Sequence, residues 1–171
     1  QAAVEQGGLL IMWELSGVDD RENDDEILVR LRFGTGQPLL GTDGLLLSGQ
    51  TFHINPESPD REVKAQIVDG EVITETFEAV LPIVVFEVGY ELVIHEARMS
   101  ANLSYDGGLE NGLMGGRVTI ENLLEIAERA ELEAGGIYDA VTFLLDGMAD
   151  MAPNDNGECQ ELSAALTFTA V

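Results

Sequence analysis

Apolar residues recur at every second position through most of this chain and at helical spacing in one stretch near its end. The clearest alternation sets Val63, Ala65 and Ile67 against Lys64, Gln66 and Val68. It runs into Asp69-Gly70, a hairpin signal because both residue types accept a positive φ. Residues 27–33 predict a strand with Val29, Leu31 and Phe33 on one face and Arg30 and Arg32 on the other. Residues 8–15 form an apolar run bounded by glycine and by Ser16-Gly17, again read as a strand. Between them, residues 18–26 are a loop made almost wholly of charge. Residues 45–54 predict a strand interrupted at Ser48-Gly49, and residues 55–59 a proline turn. Alternation continues over residues 71–81. Pro82 lacks a ladder donor and marks an edge or junction. Residues 84–94 and 97–105 predict two further strands, closed by Asp106-Gly107-Gly108.

The period then changes. Thr119 caps a helix with Ile120, Leu123, Leu124 and Ala127 on one stripe, ended by Gly135-Gly136. Ile137, Val141, Leu144, Leu145 and Met148 form a second stripe, stopped by Pro153. Leu162, Ala164, Leu166, Phe168 and Ala170 return to alternation. The pattern therefore predicts a mainly β fold: an antiparallel β-sandwich or barrel-like single domain over residues 1–171. A helical hairpin, about residues 119–150, is inserted before the C-terminal strand.

Charge narrows the functional classes. Asp and Glu number 32 against 8 Lys and Arg, a formal net charge of −24, and Lys64 is the single lysine. With 45 % hydrophobic residues this is not the composition of a disordered acidic tail. Such a surface repels phosphate backbones and anionic membranes, so nucleic acid is not an expected partner. No stretch reaches the roughly 18 apolar residues of a membrane-spanning helix. Self-repulsion calls for screening by divalent cations, by high salt or by a cationic partner. Salt adaptation is the rival source of the same acidity.

Two acidic clusters are the candidate cation sites. The first is Asp19, Asp20, Glu22, Asp24 and Asp25, with Asn23 and Glu26 beside them. Calcium takes six to eight oxygens, and a short acidic loop supplies several. The spacing lacks the sixth-place glycine and distal glutamate of an EF-hand, and a solvated loop is the alternative. The second cluster is Asp150 with Asn154, Asp155 and Asn156, where Asn-Asp-Asn-Gly is also a turn. Asp106, Glu110 and Asn111 form a weaker third group among glycines read as turn residues. Ca2+ is the expected ion at these sites.

No catalytic constellation emerges. His53 and His95, the two histidines, read as surface or edge-strand residues, and no serine lies in a nucleophile elbow. Paired carboxylates for glycoside chemistry carry no weight without geometry in so acidic a chain. Trp13, Tyr90, Tyr105 and Tyr138 are candidate sugar platforms, with Trp13 read as core. Asn102-Leu103-Ser104 matches the glycosylation triplet. Cys159 is the sole cysteine, which rules out an internal disulfide.

ARMSANLSYDGGLENGLMGG followed by an amphipathic helix, and Gly157-Glu158-Cys159 followed after two residues by LSAALTFTAV, resemble uncharacterised secreted or lipid-anchored proteins of myxobacteria and related deltaproteobacteria. The resemblance covers about the second half and implies an exported protein at the cell surface, in the periplasm or outside the cell. It implies no reaction. The sequence-level expectation is a non-enzymatic extracellular or cell-surface structural or interaction module stabilised by calcium. Its apolar terminal strands, residues 4–15 and 162–171, suit assembly into a homo-oligomer or filament. A surface glycan or protein is the other expected partner. The alternative is a carbohydrate-binding or carbohydrate-hydrolysing domain.

Overall fold

Strands form where alternation is cleanest, and glycine decides how closely they approach. The computed structural model describes residues 10–85, 88–132, 135–145 and 147–171. In chain order the elements are β1 (Leu10–Ser16), β2 (Asp24–Thr35), β3 (His53–Ile54), β4 (Glu62–Val68), β5 (Glu71–Thr74), β6 (Phe77–Val85), β7 (Val88–Leu103), β8 (Leu109–Thr119), α1 (Ile120–Glu131), α2 (Ile137–Leu145), β9 (Met151–Pro153) and β10 (Cys159–Ala170). The strands pair in the order β1-β2-β4-β5-β7-β8-β10-β9, with β3 on β2 and β6 on β7. The fold is mainly β and antiparallel, with two helices ahead of the final strands, as the periodicity predicts. By its contacts the chain divides into two compact units.

The first unit holds residues up to Thr76, Arg98–Met114 and Leu166–Val171. Its core is built by alternation: Ile27, Val29 and Leu31 on β2 and Val63, Ala65 and Ile67 on β4 are buried, with Val72, Met99 and Ala101 beyond. Val29 faces Leu15 on one side and Val63 on the other. Each fully buried aliphatic side chain contributes roughly 1.5–3 kcal/mol. Asp69 and Gly70 take φ of 51° and 80°, the hairpin geometry their sequence demands. Thr74 is the buried polar residue here, and its hydroxyl accepts the Met99 N–H at 2.8 Å. Across β1 and β2, Arg30 and Arg32 both meet Glu14, at 3.0 and 3.3 Å. Asp60 and Glu62 complete this ionic ladder.

The second unit holds Phe77–Ala97 and Gly115–Ala165. Ala79, Leu81, Tyr90, Ile94, Ala97 and Val118 are buried in it, with Ala127, Ala130 and Leu145 from the helices. Thr119 caps α1 by accepting the Asn122 N–H at 3.1 Å. Asn122 in turn accepts the Val93 N–H through its side-chain oxygen, fastening the helix to β7. Pro82 lies in β6, which among the described residues pairs with β7 alone, so its missing donor weakens no central ladder.

The structure corrects several expected boundaries. The strand expected over residues 45–54 shrinks to His53–Ile54. Gly44 and Gly49 take φ of +79° and +76° there, residues 39–47 close on themselves at an isolated Leu40–Leu46 bridge, and the Gln50 side chain bonds the backbone of Leu39 and Leu47. The strands expected over residues 84–94 and 97–105 are one strand, β7, bulged at Glu96 with φ of 48°. Phe86 and Glu87 lie outside the described residues. Glycines 108, 112, 115 and 116, read as turn residues, belong to β8 or its approach. A methyl group on Gly116 would lie 2.6 Å from Ile94 Cγ2 and 2.8 Å from the His95 carbonyl oxygen, so the bulge requires glycine opposite it. Pro153, read as a helix stop, lies in β9, an unexpected short strand. Of the residues expected on the inner stripe of α2, Leu144 and Met148 are exposed and Leu145 is buried. The helix ends at Leu145, before Gly147 takes φ of +90°, so Met148 never joins it.

Candidate functional site

Carboxylates sit on nearly every strand, helix and loop, and among the described residues none is buried. The densest run is the loop before β2, where the backbone claims the acids. Asp24 accepts the N–H groups of Asp19 at 2.7 Å, Asp20 at 3.2 Å and Glu26 at 3.2 Å. These donors hold its carboxyl below the ordinary aspartate range. Asp20 accepts from Glu22 and Asn23 at 2.8 and 3.3 Å. Asn23 accepts the Asp69 N–H, and the Glu22 carbonyl accepts from Gly70. Arg21 donates to the carbonyls of Ser104 and Tyr105. The carboxylates of Asp20 and Asp24 are thus turned onto main-chain donors, with Asp19 supplying one of those N–H groups. Asp25 points elsewhere, into a polar groove of about 320 Å³ shared with Glu26, Lys64, Glu75 and Arg98.

The second cluster is also bound up in local structure. Asp150 accepts the Ser163 hydroxyl at 2.6 Å and the Ser163 N–H at 2.7 Å, which keeps its carboxyl below the usual range. Asn154 accepts from the N–H groups of Asn156 and Glu158, at 2.9 and 3.0 Å. Residues 154–157 are therefore the turn joining β9 to β10, with Asp155 and Asn156 exposed on it. Asp106, of the third group, accepts the Ser104 hydroxyl and is lowered by it, then by the Gly108 N–H. Among the described residues, no three His, Cys, Asp or Glu side chains converge as a metal would need.

The aromatic candidates do not form one platform. Trp13 is half-buried and stacks on Phe168, Tyr90 is buried, and Tyr105 is fully exposed. His53 is exposed, and His95 lies 3.6 Å from Glu78 on the β6–β7 ladder. Asn102 is exposed at the end of β7, with its amide oxygen facing Asn111 at 3.4 Å. Of the terminal strands expected to pair with a neighbour, β1 pairs with β2, and β10 with β8 and β9. Residues 4–9 of the first lie outside the described residues. No described helix is long and apolar enough to cross a membrane.

Sequence reasoning missed what the helical hairpin presents. Leu132, Phe143, Leu144 and Met148 are 85 %, 79 %, 60 % and 57 % exposed, far above what their apolarity favours. The hairpin is held open-faced by Glu131, whose carboxylate accepts the N–H groups of Tyr138, Gly136 and Ile137 at 2.9, 2.6 and 2.6 Å. Those donors hold its carboxyl below the ordinary glutamate range, and the carboxylate in turn caps the N-terminus of α2. Two grooves flank α1. One, of about 420 Å³, is lined by Ile120, Leu124 and Tyr138 together with Glu121, Glu125, Glu128 and Glu161. The other, of about 520 Å³, shares Ile120 and Leu124 and adds Phe143, Leu145, Ala149 and Cys159. Gln160 and Glu161 line the first groove, and Arg117 pins Glu161 at 2.6 Å while reaching Glu96 at 2.7 Å.

A second exposed apolar set, Leu39, Leu40, Leu45 and Leu47, lies on the loop clasped by Gln50. No protein-family model, no curated protein and no solved structure matches the chain.

Proposed function

We propose that the protein is a non-enzymatic interaction module that presents the outer face of its α1–α2 hairpin to a protein partner. One observation carries the reading: a large aromatic and three large aliphatic side chains stand in solvent on a single supersecondary unit. Large apolar side chains exposed together on one element mark interaction surfaces. The carboxylates support it in a negative sense. Among the described residues, the four with displaced acidity are all shifted downward, whereas a general acid at neutral pH needs the opposite shift. An extracellular, cell-surface or periplasmic location belongs to the same proposal, supported by the resemblance of the second half to exported proteins, as does screening of the −24 charge by divalent cations such as calcium, supported by the charge alone.

Site-specific photo-crosslinking in the native cells tests the reading. A photoreactive residue in place of Phe143 should yield one discrete adduct with another protein, and the same residue in place of Lys64 none. Equal labelling from both positions, or none from Phe143, would refute the assignment of the face.

A further inference from the structure

We infer that the groove beside α1 takes a cationic amphipathic segment of the partner protein, with its apolar side chains on Ile120, Leu124 and Tyr138 and its lysines or arginines on Glu121, Glu125 and Glu128. This rests on the reading of the hairpin as a contact surface and adds the chemistry of what it contacts.

The three glutamates follow one another at i, i+4 and i+7, so a single side of the helix carries them. All three are exposed, and among the described residues none is engaged in an ion pair or hydrogen bond. They border a groove with an apolar floor, and Glu161 faces the same space. Asp24 and Asp150 are by contrast taken up by backbone donors, and Glu14 and Asp60 by the arginines of the β1–β2–β4 ladder. This row is left to meet charge from outside. Arg129, the one basic residue in the last turn of α1, does not line the groove.

A second copy of the chain is disfavoured as occupant, because two bodies of net charge −24 repel on approach. An anionic membrane is disfavoured for the same reason. A basic segment is drawn in, and an amphipathic one fills the groove by the helix-in-groove mode. The adjoining groove, entered past Phe143, extends the apolar track from the same Ile120 and Leu124.

The test is titration of the full chain with a synthetic leucine–lysine amphipathic helix by calorimetry, beside a scrambled peptide of equal charge. The amphipathic peptide should bind more tightly than the scrambled one. The triple variant E121Q/E125Q/E128Q should weaken it about tenfold, the sum of three rim ion pairs. The charge-matched variant D25N/E26Q/E75Q, on the polar groove of the other unit, should leave it unchanged, and Phe143→Ser should weaken it. Equal weakening by both triple variants would reduce the binding to diffuse attraction and overturn the inference, as would equal binding of the scrambled peptide or none at all. Crosslinking from Phe143 does not depend on the partner's charge. An adduct there with a protein lacking any basic segment therefore sinks this inference and leaves the reading of the face standing.

Discussion

The indole of Trp13 on β1 stacks on the ring of Phe168 on β10, with centroids 5.5 Å apart and planes 23° from parallel. These strands begin the sheet order and stand next to its end, yet their aromatic side chains meet within one compact unit. Gly112 makes room for the pair, since a methyl group there would lie 2.5 Å from the Phe168 ring. Phe168→Ala should lower stability by about 2 kcal/mol. A double-mutant cycle with Trp13→Ala should return a coupling of about 0.5–1.5 kcal/mol by urea denaturation.

Adjacent glycines on β8 should respond in opposite ways. Gly116→Ala forces a methyl group against Ile94, the His95 carbonyl and Ala97, much of it backbone that cannot turn aside, and should cost about 1–3 kcal/mol. Gly115→Ala meets only the Ala164 carbonyl oxygen at 3.6 Å and should stay within about 0.5 kcal/mol of the parent. Equal melting temperatures for the two variants would contradict the close approach at the bulge.

How much of this was legible depends on what each residue's neighbours are. The β4–β5 hairpin was readable because Val63, Ala65 and Ile67 bury one parity and Asp69-Gly70 fits one turn, all of it local information. The Thr119 cap was readable for the same reason. Strand β8 was not, because glycines 112 and 116 weaken its propensity for a cause that lies in distant partners, the Phe168 ring and the Glu96 bulge. The acidic loop was legible as a loop, but not as one fastened by its own carboxylates, since a carboxylate that accepts N–H groups and one that ligates calcium look alike in sequence. Glu131, which joins the helices, gave no signal beyond the Gly135-Gly136 break after it. The exposed Phe143 was hidden by a periodicity that assumed a longer α2 with a buried stripe.

Loss of the Glu131 staple should loosen the hairpin locally. Glu131→Gln leaves one accepting oxygen where two now serve three N–H groups. Amide exchange at Gly136, Ile137 and Tyr138 should quicken by about tenfold or more, with the β4–β5 amides unchanged.

Stability should hold from neutrality down to about pH 4.5 and fall below it. Asp24, Asp106, Glu131 and Asp150 all titrate below their ordinary values, because N–H and hydroxyl donors favour the charged form. A group whose folded value is depressed stabilises fully above its unfolded value and loses that contribution as pH falls through the folded one. The loss therefore begins near 4.5 for Glu131 and near 3.8 for the aspartates, and deepens below. A urea midpoint that falls steadily from neutrality downward would contradict this.

Salt should stabilise by screening the repulsion within a chain of net charge −24. The melting temperature should climb as sodium chloride rises from about 0.01 to about 1 M, while the screening length shrinks from about 30 to about 3 Å. Calcium and magnesium chlorides at matched ionic strength should act alike, since the carboxylates of Asp20 and Asp24 are engaged by N–H donors. An increment peculiar to calcium, growing with its concentration as mass action requires, would instead place an ion among the loop oxygens.

The central claim is that the helical hairpin is a covered surface in the working protein. Hydroxyl-radical footprinting of the unaltered chain, purified and in its native cells, tests it most directly. Phe143, Leu144 and Met148 should be oxidised readily in isolation and be protected in the cell, while Tyr105, fully exposed on the other unit, is labelled equally in both. Equal oxidation of the hairpin residues in the two settings would contradict the account.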